Sequence, residues 1–290
     1  MTDDPFPPAD IGFHQGTPVV PGAFCLNGSN GAFVTPSGGL RGPTGLLIAG
    51  PQLIVVNQNV NLPIGGEISQ YQLDSGSFAG RWVSKSNPDA PFVPRGAVIK
   101  NGVLYVANFV EDNSGTPGQV LVFAGNGESL GAMVPDPAID PSPFRPLGLV
   151  VGADGLLYVS SDPNFAVGSG PTTGGQVVRF DPQTLSFEDV FINEVGGPGQ
   201  LNRPEGLVFG PDGNLYVTSF CAMPSTCPSN SDIDSIRIYD GSTGNFIDQI
   251  DLDAYAKTVG QTRATAQALL FGPSGKLFVP ITLRPARQVK

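Results

Sequence analysis

The chain is poor in the side chains that most often carry chemistry. Its 290 residues hold one histidine, His14, three cysteines, three methionines and one tryptophan, Trp82. A Ser-His-Asp system needs its histidine on a rigid scaffold. His14 stands in a proline-rich lead segment, where it reads as a surface residue. Cationic charge is scarce too: fifteen Lys and Arg stand against 25 Asp and Glu, a formal charge of −10. With no basic stripe to neutralise phosphates, the composition argues against a nucleic-acid partner. Long apolar runs are missing. The most apolar stretch, 46–56, is broken by Gly50 and Pro51 and is too short to cross a bilayer, so no membrane insertion is expected.

The first ten residues, MTDDPFPPAD, are acidic and lack the apolar centre of a signal peptide. The chain therefore reads as cytosolic or as a mature form. Cys221 and Cys227 lie close together in one loop and lean toward an oxidising compartment. A Cys221–Cys227 disulfide and an extracytoplasmic or secreted location are expected, with a cytoplasmic location as the alternative. Cys25, between Phe24 and Leu26 on an expected strand, reads as a buried, inert thiol. The run GSGPTTGG (168–175) lacks the lysine and the following helix of a phosphate loop.

What is abundant is turn chemistry. Glycine (39) and proline (29) accompany 40% hydrophobic and only 14% charged residues, the signature of many short strands separated by many turns. Residues 203–250 show the unit. Leu207–Phe209 and Leu215–Val217 flank the turn Gly210-Pro211-Asp212-Gly213, and strands near 236–239 and 246–250 flank Asp240–Gly244. The first half of this unit recurs at 42–57, 93–108, 145–161 and 265–281, and the second half at 65–83, 118–134 and 174–192. With Pro43, Pro94, Pro146, Pro204 and Ala266 equivalent, the steps are 51, 52, 58 and 62 residues. Four strands in such a period make a β-propeller blade.

The fold class expected is therefore all-β, a propeller of four-stranded antiparallel blades over 21–290, preceded by an extended arm at 1–20. The last repeat stops after two strands. Residues 21–35 match the second half of a repeat with no first half before it. Together they would complete one split blade and close a five-bladed ring; the alternative is six blades. One helix is expected near 251–257, where carboxylates stand in the first turn.

The pattern PxGLxxGPDGxLYV resembles NHL-type propeller repeats and, more broadly, the superfamily of gluconolactonase-like hydrolases and virginiamycin B lyase. The resemblance covers roughly 40–290, and its motifs are turn glycines, prolines and apolar strand residues. It implies a propeller. The lyase chemistry relies on a histidine in the blades, and this chain has none there.

Two sets of positions remain as candidates for a ligand site. Between the Pro and Gly of each repeat stand Thr44, Arg95, Leu147, Glu205 and, in the last, Gln267. Just past the second strand's LYV stand Asn57, Asn108, Ser161, Ser219 and Ile281, with Asp162 following Ser161. Both sets are expected at one mouth of the central channel. Their oxygens could hold calcium, which takes six to eight hard donors. The resemblance to the gluconolactonase-like enzymes implies a glutamate, an asparagine and an aspartate as ligands, here Glu205, Asn108 and Asp162. Arg95 in the same ring opposes a cation and would rather pair with Glu205. Glu205→Gln is expected to leave the melting temperature nearly unchanged.

Two functions follow. One is a non-enzymatic propeller that recognises a protein or small-molecule ligand through the channel mouth and the unequal loops 58–65, 109–118, 162–175 and 220–234, which all follow a second strand and so share one face. The other is a metal-dependent lactonase or esterase acting at the mouth. A sugar-binding role finds few aromatic platforms, since Trp82 stands alone.

Overall fold

The computed structural model describes residue 34 and residues 39–59, 65–110, 116–162, 174–220 and 234–284. The arm 1–20 with His14, nearly all of 21–35 with Cys25, the Cys221–Cys227 pair and most of the four long loops lie outside these residues. Four sheets follow one another along the chain, each of four antiparallel strands in sequence order. The first holds β1 (Pro43–Ala49), β2 (Gln52–Asn57), β3 (Glu67–Gln72) and β4 (Phe78–Val83). The second holds β5 (Pro94–Lys100), β6 (Val103–Val110), β7 (Pro117–Phe123) and β8 (Ser129–Met133). The third holds β9 (Pro146–Val151), β10 (Leu157–Ser161), β11 (Gln176–Asp181) and β12 (Ser186–Ile192). In the fourth are β13 (Leu207–Phe209), β14 (Leu215–Ser219), β15 (Ser235–Tyr239) and β16 (Phe246–Asp251). These are propeller blades, as the repeat pattern implies.

The expected helix is present as α1 (Leu252–Thr258). Asp251 is its N-cap, accepting from the Ala254 N–H. Asp253, read from sequence as a first-turn charge, is buried and accepts the N–H groups of Asp234 and Ala264. A fifth hairpin follows: β17 (Arg263–Ala266) pairs with β20 (Ile281–Arg284), and β18 (Leu270–Phe271) pairs with β19 (Leu277–Phe278). The two registers differ by one residue, so these are the halves of one interrupted hairpin.

That one-residue irregularity recurs at the Pro-x-Gly step. It lies between Pro43 and Gly45, between Pro94 and Ala97, and opposite Val159 and Ser161 in the third blade. In the fourth blade an Arg203–Phe220 bridge precedes the paired strands. The Pro-x-Gly signature is therefore a β-bulge, which re-aims the side chain it carries. At the other end of the inner hairpin, the GxDGxLYV signature is a locked turn. Asp154 accepts from the Leu156 N–H and the Tyr158 hydroxyl, and Asp212 from Asn214 and Tyr216 in the same way. Gly152 and Gly210 pass under the tyrosine rings, where a Cβ would sit 2.5 and 2.7 Å from a ring carbon.

The blades stack through alternating residues of the inner strands. One and three positions past the bulge glycine, Ala97 and Ile99, Leu149 and Val151, and Leu207 and Phe209 pack back onto the preceding blade. Two positions past it, Leu47, Val98, Val150 and Val208 pack forward. The tyrosines of the second strands, Tyr105, Tyr158 and Tyr216, pack forward as well. Four apolar clusters result, joining the first blade to the second and so on to the fifth hairpin.

Among the described residues no such cluster joins the fifth hairpin to the first blade. Leu46 and Ile48, at the backward-packing positions of β1, are 66% and 69% exposed. Leu270 and Phe278, at the forward-packing positions of the fifth hairpin, are 55% and 37% exposed. Equivalent side chains are buried or half-buried at the other junctions. Residues 21–35, the segment expected here, lie outside the described residues.

Two measurements test this packing. Gly148→Ala would place a Cβ 2.1 Å from the Glu205 carbonyl oxygen, and should destabilise the protein by about 1–3 kcal/mol. Gly50→Ala meets open space at φ 57 and should cost less; equal costs would show that the close approach is unimportant. Separately, Leu46→Gln with Ile48→Thr should lower the melting temperature if another part of the chain covers this face. An unchanged or higher value would show a face open to water.

Candidate functional site

The bulge positions come together because the inner strands approach closely. A Cβ on Gly45 would lie 2.9 Å from the Arg95 carbonyl oxygen, one on Gly96 2.7 Å from that of Leu147, and one on Gly206 2.9 Å from that of Gln267. With Gly148 against Glu205, each bulge touches the next around the channel. Hydroxyls pin them further. Thr44 Oγ1 donates toward the carbonyls of Pro94 and Arg95, each at 3.0 Å. Ser160 Oγ donates to the Glu205 carbonyl at 2.8 Å, and Thr218 Oγ1 accepts the N–H groups of Glu205 and Gly206. The Glu205 backbone is thus fixed by the preceding blade and by the second strand of its own.

The second set of candidates has a different local role. Asn57 Oδ1 accepts the Arg41 N–H, and Asn108 Oδ1 accepts those of Phe92 and Val93. Ser161 Oγ accepts from Arg145 N, and Ser219 Oγ from Asn202 N. All four side chains are buried. They satisfy the backbone donors of the segment leading into each inner strand, which would otherwise be orphaned. Asn108 also lines a cavity of about 390 Å³ beside β7 and β8. Asp162 is buried and its N–H donates to the Arg145 carbonyl. Gln267 and Thr44 are exposed, and Leu147 is buried.

What the mouth does gather is arginine. Arg145 and Arg203 precede the prolines of the third and fourth bulges, and Arg95 occupies the second bulge itself. The Arg95 guanidinium lies 5.2 Å from the centroid of the Phe109 ring, and that of Arg145 lies 5.7 Å from the same centroid. Arg203 is held 5.4 Å from the Phe220 ring. Phe109 and Phe220 follow Asn108 and Ser219, so both rings stand at equivalent places on the rim, where the third blade has Asp162. Arg203 Nε donates to Glu205 Oε1 at 2.9 Å, with both side chains largely buried. The expected Arg95–Glu205 pair is replaced by this one.

Arg95 is the unusual member. Its Nε is buried with no hydrogen-bond partner among the described residues, and no ion pair compensates it there. Burial pulls its pKa below the ordinary arginine value, the Glu205 charge opposes that, and Arg203 adds to it. The guanidinium therefore senses both members of the Arg203–Glu205 pair from two blades away. A buried donor left unmade costs on the order of 1–3 kcal/mol, and stacking on Phe109 returns only about 0.5–2 kcal/mol.

Two members of the expected trio Glu205, Asn108 and Asp162 are engaged in other contacts. Glu205 faces Arg203, Asn108 Oδ1 already receives two N–H groups, and among the described residues no three His, Cys, Asp or Glu side chains cluster. The sequence reading missed Arg145, Arg203, Phe109 and Phe220. The signal for the arginines was present as the dipeptide Arg-Pro in two repeats.

No family model and no curated protein matches the chain. Solved structures do. An exo-beta-1,3-galactanase from Phanerochaete chrysosporium matches at TM-score 0.56 and 13% identity, over 86% of this chain and 59% of that one. A chain of a nidogen/laminin complex matches at TM-score 0.52 and 11% identity, over 82% and 72%. An extracellular domain from B. thetaiotaomicron matches at TM-score 0.49 and 13% identity over 82% of this chain, which spans only 25% of that one. At these identities the likeness concerns the fold, a β-propeller. Among the described residues no helix is long and apolar enough to cross a membrane.

The site predicts one stability effect. Glu205→Gln removes the carboxylate paired with Arg203 among the described residues and leaves Arg95 and Arg203 facing each other. A melting temperature lowered by the equivalent of about 1–3 kcal/mol is expected, contrary to the neutral outcome expected from sequence. No change would show that the pair is solvated and unimportant.

Proposed function

We propose that the chain is a ligand-binding propeller of the NHL-repeat type, which recognises a small molecule or a protein partner at the channel mouth and on the loop face around it. The observation that carries this reading is the half-buried Arg95, whose buried Nε has no hydrogen-bond partner among the described residues, beside the Arg203–Glu205 pair. Groups held at a cost, on a rigid frame, are groups a ligand can complete. Topology adds support. The bulge residues Pro43, Pro94 and Pro146 pair with Asn57, Asn108 and Ser161, so the long connections after β2, β6, β10 and β14 leave from the mouth end. Connections of unequal length thus leave from around a fixed centre. An extracytoplasmic setting belongs to the same proposal.

The alternative is calcium-dependent hydrolysis of a lactone or ester at the same mouth, with Glu205, Asn108 and Asp162 as ligands. Both kinds of role occur on this fold: one neighbour is named as a galactanase and another belongs to a nidogen/laminin complex. The engagement of Glu205 with Arg203 favours binding over metal chemistry.

Gln267→Trp, at an exposed bulge position, narrows the mouth without touching its charges, and Thr44→Trp narrows it while also removing the hydroxyl that pins the Arg95 carbonyl. Small molecules that raise the melting temperature of the unaltered protein should lose their effect in these variants. Effects retained in both would place binding elsewhere. Calorimetric titration with calcium tests the alternative. No heat would sink it, and equal affinity in Glu205→Gln would move any metal away from the mouth.

A further inference from the structure

We infer that the mouth is an oxyanion site, and that its ligand presents a carboxylate or phosphate group to Arg95. The inference rests on reading the mouth as the ligand site and adds the chemistry of what is bound. Three guanidiniums, Arg95, Arg145 and Arg203, meet there with the carboxylates of Glu205 and Asp162. Among the described residues this is a local excess of positive charge, in a chain of net charge −10. Counter-charge is divided unequally. Arg203 has Glu205 at 2.9 Å, whereas Arg95 has no hydrogen-bond or ion-pair partner among the described residues.

Geometry fixes which donor is involved. The Arg95 backbone is held at the bulge by Thr44 and by the close approach of Gly45, and its guanidinium is oriented by Phe109. A planar fork of N–H donors, oriented and largely desolvated, matches the two oxygens of a carboxylate or two of a phosphate. A cationic ligand would be repelled, and a neutral acceptor could take up the Nε–H but would leave the guanidinium charge uncompensated. An oxyanion satisfies it and relieves the repulsion between Arg95 and Arg203. Glu205 then works against the anion, so its charge should weaken binding; a metal site would need that charge and show the opposite sign.

The test uses the full chain with ¹⁵N-labelled arginine. Sodium phosphate and sodium acetate are titrated separately at constant ionic strength, balanced with sodium chloride, while the arginine Nε–Hε signals are followed. Arg95→Lys, which keeps the charge but lacks the Nε–H, assigns the signal. The Arg95 resonance should move downfield and saturate. Movement with both anions assigns a general oxyanion site, and movement with one alone assigns the carboxylate or the phosphate. Affinity should fall about tenfold or more in Arg95→Met, as the loss of charge-assisted hydrogen bonds implies, and should rise several-fold in Glu205→Gln.

An Arg95 signal that stays still, or that only drifts in parallel with that of Arg81, whose Nε–H is already held by Glu67 in the first blade, would overturn the inference. So would weaker binding in Glu205→Gln. If that variant fails to fold, the comparison of Arg95 with Arg81 in the unaltered protein decides alone. Neutral molecules that bind and are blocked by Thr44→Trp, while both anions leave Arg95 unmoved, would remove the oxyanion inference and keep the mouth as a binding site. If neither neutral molecules nor anions bind there, both readings fall.

Discussion

The structure depends on one steric constraint: the inner strands meet at distances that only glycine allows. Gly45, Gly96, Gly148 and Gly206 each face the carbonyl of the next bulge, with room for a hydrogen and none for a methyl group. This contact sets how near the blades come to the axis. It also forces the residue before each glycine to point away from the inter-blade core. Thr44, Arg95 and Glu205 are therefore free to carry polar chemistry through the same contact that brings them together, while Leu147 stays buried. A symmetric backbone and an asymmetric mouth have a single cause.

Charge follows from that geometry. A guanidinium at a bulge position sits where neighbouring strands exclude much of the water, so its charge acts at reduced dielectric. Arg95 responds to Glu205 and Arg203 across the channel although neither belongs to its own blade or the next. Exposed pairs on the outer strands differ in kind. Arg179 with Asp189 lies 2.5 Å apart, but the carboxylate side chain is 44% exposed, and such pairs contribute little. Arg263 shows a third use of arginine: it is held by two oxygens of the fully buried Asp234, with Asp253 nearby, and ties the fifth hairpin to the fourth blade. Of these settings, the mouth alone leaves a guanidinium underemployed.

Much of the fold was legible because its signatures are steric. The turn Asp154-to-Tyr158 spacing, the glycines beneath the rings and the Pro-x-Gly bulge all dictate residue type directly, so they recur and can be aligned by eye. The site was legible only by position. The bulge column was correctly singled out as variable, but its ion pair was assigned to the wrong arginine. Arg203 precedes a proline and reaches Glu205 two residues on, a local turn that spacing alone does not reveal. Asn57, Asn108, Ser161 and Ser219 misled for the opposite reason. Oxygen donors in a column look like a ligand shell, yet each accepts backbone N–H groups from the segment leading into its own blade. Only the pairing of Pro43 with Asn57, and its repeats, shows which donors are already taken.

Two places in the molecule depart from local consistency, and they differ in character. At the uncovered end of the stack, Leu46, Ile48, Leu270 and Phe278 keep the residue types of buried inter-blade positions. Nothing in their chemistry selects a ligand; they match the next blade's apolar face, as every other junction does. At the mouth, Arg95 is unlike its equivalents in every other blade, and its cost is polar. An apolar mismatch is met by more of the same fold, whereas an unpaired buried donor is met by an acceptor that the described residues do not supply. Local rules fail most informatively where function has displaced packing. On the function proposed here, the exposed strand faces bear on packing against further parts of the fold, and Arg95 bears on the ligand.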